Sequence, residues 1–184
     1  MKYFTIIIIF MCLMSNDLLA QKKSAKFNVF MSYNRTFGLK EKNELWEYKG
    51  KQSDRYPNSF HIKGMYRLHE MVSCGVGWEA DGIMGRNKSS YPIYSSVHFY
   101  PFSHFNGYMY SNLGYSLNTK ITYPGLYYDA GIGHQWMFRK HFGLFLSAGY
   151  KVKQIRNIEM RYENKTKYSH TTRQSLSANF GFVF

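Results

Sequence analysis

Acidic residues and cysteines are scarce in this chain, and after residue 20 it has no long apolar run. Of 184 residues, 11 are Asp or Glu against 24 Lys or Arg, which leaves a formal net charge of +13. A surface this basic expects anionic neighbours. The two cysteines are Cys12 and Cys74, with no spacing that would suit a redox pair or a metal site. No stretch beyond residue 20 approaches the roughly 20 apolar residues that a transmembrane helix needs.

The chain opens with Lys2, an apolar run from Phe4 to Met14 broken only by Thr5, and Leu18-Leu19-Ala20 before Gln21. This pattern resembles an export signal with its cleavage site. Residues 1–20 are therefore expected to be a signal peptide, and 21–184 a single domain. Cleavage would remove Cys12, leaving Cys74 without an internal disulfide partner. It would also remove Lys2 and Asp17 together, so the basic excess would persist.

Aromatic residues make up 19% of the chain, yet mean hydropathy is −0.42. A membrane barrel reconciles the two, because its strands turn only every second residue to lipid and gather aromatics at the interfaces. Period-two alternation recurs over about 26–35, 59–68, 72–81, 91–100, 108–117, 126–138, 144–152 and 175–184. In the last of these, Leu176, Ala178, Phe180 and Phe182 alternate with Ser175, Ser177, Asn179 and Gly181 before a terminal Phe184. Alternation over such lengths predicts strands rather than helices, each close to the 9 to 11 residues needed to cross hydrocarbon.

The links between these segments alternate in length. Long polar links follow the first (36–58), third (82–90), fifth (118–125) and seventh (153–174), and short ones follow the second, fourth and sixth. That rhythm predicts an all-β, eight-stranded antiparallel up-and-down transmembrane β-barrel, with short turns at the end carrying both termini. An even, closed circuit leaves no unpaired edge.

Parity places Lys63, Arg67, Glu79, Asp81, Asp129 and Lys151 inward as an interior charge network, with Lys63 diagonal to Glu79 across its hairpin. An eight-stranded barrel is just wide enough for side chains to fill it. Opposite charges there are expected to pair, giving a closed barrel without a conducting pore. Glycines such as Gly75, Gly77, Gly131 and Gly133 leave room for Tyr94, Tyr100 and Tyr127.

The Gly-rich segments Cys74-Gly75-Val76-Gly77-Trp78 and Asp129-Ala130-Gly131-Ile132-Gly133, the cluster Phe99-Tyr100-Pro101-Phe102 and terminal Phe184 resemble the small outer-membrane β-barrel family of Gram-negative bacteria, the OmpX and OmpA-barrel kind. The resemblance implies residence in the cell outer membrane. It also implies a terminal strand read by the barrel-insertion machinery, with Asn179, Gly181, Phe182 and Phe184 similar to the positions of that insertion signal.

The last long link is the most basic. Lys153, Arg156, Arg161, Lys165 and Lys167 are candidate contacts for lipopolysaccharide phosphates, which basic groups engage by charge-assisted hydrogen bonds. A structural or surface-interaction role is expected, for a monomer touching lipopolysaccharide or host surfaces through its first and fourth outer loops. Ser96 and His98 share one strand face and are similar to the serine and histidine of outer-membrane lipid A deacylases, but in reversed order and pointing inward. No catalytic residue, cofactor or metal ligand is assigned. Two alternatives stand beside this reading, an outer-membrane lipid-modifying enzyme and a secreted lipocalin-like carrier; export argues against access to nucleic acid.

Overall fold

The computed structural model describes residues 26–43, 58–81, 90–102, 106–117, 124–139, 141–162 and 165–184. The expected signal peptide and parts of the long links lie outside these residues. Eight strands follow in chain order: β1 (Phe27–Asn43), β2 (Ser59–His69), β3 (Val72–Asp81), β4 (Pro92–Phe99), β5 (Gly107–Ser116), β6 (Gly125–Arg139), β7 (Phe142–Tyr162) and β8 (Lys165–Val183). All neighbours pair antiparallel, and β8 returns to β1 to close the barrel.

The circuit is staggered, as a closed sheet with tilted strands must be. Starting at Val29, the ladder partners run through Gly64, Val76, Ser95, Leu113, Tyr128, Val152 and Gln174, and re-enter β1 at Lys40. Closure is completed by Phe184, whose amide donates to the carbonyl of Val29 at 2.9 Å and whose carbonyl accepts from the amide of Val29 at 2.8 Å. The same end carries the tight Glu70-Met71 turn between β2 and β3 and is tied by Arg67 N–H to Lys26 C=O at 2.7 Å and Tyr100 N–H to Met71 C=O at 2.8 Å. Phe184 therefore lies at the short-turn end.

Three strands run further than hydrophobic alternation predicts. β1 continues to Asn43, while β7 reaches Tyr162 and β8 begins at Lys165, so much of 153–174 is a paired hairpin rather than an open link. Bulges interrupt the ladders between Gly38 and Lys40 and between Ile155 and Ile158. The physical reason is that a strand projecting beyond the membrane needs ladder hydrogen bonds but no apolar face. Its sequence, Thr166 to Gln174 for example, then carries no alternating signal.

The two faces of the wall are chemically inverted relative to a water-soluble barrel. Val76 is 67% exposed and Ile132 65%, whereas Glu79, Asn34 and His98 are at 0%. Outward positions carry Phe27, Tyr33, Phe60, Trp78, Phe99, Met109, Tyr115 and Leu146, all exposed. Inward glycines admit large rings. A Cβ on Gly77 would stand 2.5 Å from the ring of Tyr94, and one on Gly133 2.5 Å from that of Tyr108.

Candidate functional site

Side chains from different walls of the barrel meet inside the lumen. Near the short-turn end Phe30, Met65, Phe145 and Val183 form an apolar cluster with Met137 against it, and Phe30 meets Phe145 edge-on at 5.2 Å. Beside it Tyr100, Tyr108 and Tyr110 pack together, and His98 stacks on Tyr108 with ring centroids 4.4 Å apart. Gln135 donates to the Tyr100 hydroxyl at 3.0 Å.

Polar layers complete the filling. Asn34 donates to Asn179 at 2.6 Å, and Asn179 donates onward to the Ser147 hydroxyl at 3.2 Å. Asp129 accepts from Ser177 at 3.1 Å and from Tyr110 at 3.3 Å. Toward the long-loop end, Glu79 Oε1 accepts from Lys151 Nζ at 3.1 Å and lies 3.8 Å from Lys153 Nζ; its Oε2 is 3.5 Å from His61 Nε2. His61 in turn meets Ser59 Oγ at 3.1 Å and Tyr94 Oη at 3.3 Å. Because β3 and β7 are not ladder neighbours, the Glu79–Lys151 bond crosses the lumen.

Of the residues assigned inward from sequence, Glu79, Asp129 and Lys151 are buried within these layers, and Asp129 is the ladder partner of Lys151. Lys63 does lie diagonal to Glu79, since His61 pairs with Glu79 and Lys63 with Gly77. Its ammonium nevertheless turns the other way, donating to His98 Nε2 at 2.8 Å and lying over the rings of Phe30 and Tyr110. Arg67 places its guanidinium 4.7 Å from the Tyr100 ring centroid. Both cations lie over aromatic faces, and Lys63 also reaches a histidine nitrogen, neither of them bonding to Glu79. The side chain of Asp81 lies outside the described residues.

Lys153 corrects one expectation. Assigned to a lipid-facing loop, it is buried inside the barrel beside Glu79 and over the ring of Tyr127. The signal was present: parity running Lys151, Val152, Lys153 continues the inward row by one more step. Among the other expected lipid contacts, Arg156 is exposed and donates to the Gln154 side chain at 3.3 Å. Arg161, Lys165 and Lys167 lie on the β7–β8 hairpin, but their side chains are outside the described residues.

The terminal-strand residues are distributed by face. Gly181 is buried toward Ser32, whereas Phe182 and Phe184 are exposed and join Phe142 and Phe180 in an outward aromatic cluster with centroids 5.7 to 6.3 Å apart. Ser96 and His98 are both buried, but each is engaged elsewhere: Ser96 donates to Asn112 at 2.6 Å, and His98 accepts from Lys63. No group of three or more His, Cys, Asp or Glu with metal-binding geometry occurs among the described residues.

A second chemical boundary lies on the outside. Phe37, Leu176 and Tyr150 form one outward row across β1, β8 and β7. The next rows toward the long-loop end are Lys40, Gln174 and Val152, then Lys42, Thr172 and Gln154, with exposed Arg156 beyond. Apolar wall thus gives way to exposed cations within one or two ladder steps. Closed pairing, a polar filled interior and an apolar exterior ending at such a boundary suit a lipid surround, where backbone groups must be satisfied internally.

The chain is a membrane-spanning β-barrel. No protein-family model matches the sequence, and no curated protein matches it. Solved structures that resemble it include the outer membrane protein OprG from Pseudomonas aeruginosa, at 11% identity over 90% of this chain and 99% of that one, with a TM-score of 0.48. Neisserial surface protein A is similar at 15% identity over 86% and 98%, also at 0.48, and the Yersinia pestis outer membrane protein Ail at 11% over 82% and 98%, at 0.39. Strand pairing defines the barrel, and the apolar outer and polar inner faces of its wall place it in a membrane.

Proposed function

We propose that this protein is an outer-membrane β-barrel with a structural or surface-interaction role, closed to conduction, whose long-loop end contacts lipopolysaccharide or a host or partner surface. The observation that carries the closed reading is the ion-paired bond from Glu79 to Lys151 across the lumen, backed by His61, Lys153 and Tyr127 above and the Phe30–Phe145 cluster below. Residence in the outer membrane is supported by the export-type leader together with the apolar outer wall. The contact reading is supported by the basic excess and by the projecting β7–β8 hairpin.

Planar-bilayer recording tests closure. Purified barrel inserted into a bilayer is expected to give no discrete conductance steps; reproducible steps, absent from a mock preparation, would contradict the proposal. A lipid-modifying role is the second reading, motivated by Ser96 and His98 on one strand face, and it predicts that Ser96→Ala changes the lipid A mass profile of expressing cells. The present proposal predicts an unchanged profile.

A further inference from the structure

We infer that the outer face of β1, β8 and β7 at the long-loop rim is a binding site for a phosphorylated membrane lipid, held by Lys40, Lys42 and Arg156, with Arg35 reaching up from below. This rests on the reading that the long-loop end meets a lipid leaflet, and it moves the main contact from the hairpin tip to the rim. Lys40 and Lys42 share the outward face of β1, paired to Gln174 and Thr172, and both are exposed. Arg156 stands two strands away on β7 and one row further out than Lys42, so three cations border one patch with the neutral side chains of Gln174, Thr172 and Gln154 between them.

Arg35 adds an independent indication. It lies on the lipid-facing wall one row below Phe37, paired with Ala178, where a charge is costly. Its guanidinium lies 5.8 Å from the Phe37 ring centroid, directed along the wall toward the rim, as a snorkelling cation is. The occupant is a lipid rather than free phosphate because the patch sits directly above Phe37, Leu176 and Tyr150, all exposed. A headgroup phosphate on the lysines would lay its acyl chains along that row. Glu41, between the lysines, is the ladder partner of Arg173.

The test uses the full barrel in phosphatidylcholine nanodiscs, titrated with diphosphorylated lipid A, its dephosphorylated form, or inorganic phosphate. The paired change Lys40→Gln with Lys42→Gln is expected to weaken lipid A binding by about tenfold or more, and Lys40→Arg with Lys42→Arg to retain it. Neutralising Arg161, Lys165 and Lys167 on the hairpin is expected to change binding by less than about threefold. Heat-modifiable migration confirms folding of every variant. Wild-type affinity in the Lys→Gln pair would overturn the rim site; if the hairpin variant alone lost binding, lipid contact would survive at a different place. Equal affinity of wild type for both lipid A forms would overturn the site and the lipopolysaccharide reading together. Competition by inorganic phosphate at concentrations comparable to the lipid would show a bare anion site and overturn the lipid assignment.

Discussion

Glu79 shows how much rests on a single side chain in this lumen. It is fully buried and faces two lysines and a histidine. Deleting one member of a buried ionic cluster leaves its partners desolvated without compensation, which costs about 3 to 5 kcal/mol in other proteins. Glu79→Gln is therefore expected to lower the denaturant midpoint for unfolding from lipid vesicles, by a free energy of that order. An unchanged midpoint would show that the cluster fills space without contributing net stability. Gly77 makes a steric counterpart. Its absent Cβ is the space the Tyr94 ring occupies, so Gly77→Ala is expected to cost about 1 to 3 kcal/mol through overpacking, measured in the same unfolding experiment.

At the scale of elements, strands within the wall were legible from sequence and strands beyond it were not. Alternation of Phe180 and Phe182 with Asn179 and Gly181 marks β8 because lipid and lumen impose opposite chemistry on successive residues. Beyond the membrane no lipid-facing apolar row is required, so hydrophobicity does not alternate through Thr166 to Gln174, although the ladder continues there. The same limit hid Lys153, which lies one step past the last apolar outward residue assigned to β7. Diagonal placement of Lys63 and Glu79 was also legible, since a turn centred on Glu70 gives the register that the shift between Arg67 and His69 produces, but side-chain choice was not: His98, from a different hairpin, captures the ammonium. β8 closes the circuit through the reciprocal Val29–Phe184 bonds and an outward aromatic cluster. Deleting Phe184 is expected to reduce membrane-assembled protein before it alters any binding property. Normal assembled yield, measured as the protease-resistant folded fraction in membranes, would contradict a role for that residue in closure or insertion.

For the molecule as a whole, an apolar exterior, a filled polar interior and a basic rim fit together as parts of one design. The outward face replaces a hydrophobic core as the surface that lipid must cover, and the lumen carries ion pairs and hydrogen bonds that run from wall to wall. That account predicts that the protein is an integral component of the outer membrane. The most direct measurement is electrophoretic migration of detergent-extracted outer membranes with and without boiling. A folded band that shifts mobility on heating, recovered in the outer-membrane fraction, is the predicted result. Recovery as a soluble periplasmic or secreted product would contradict it.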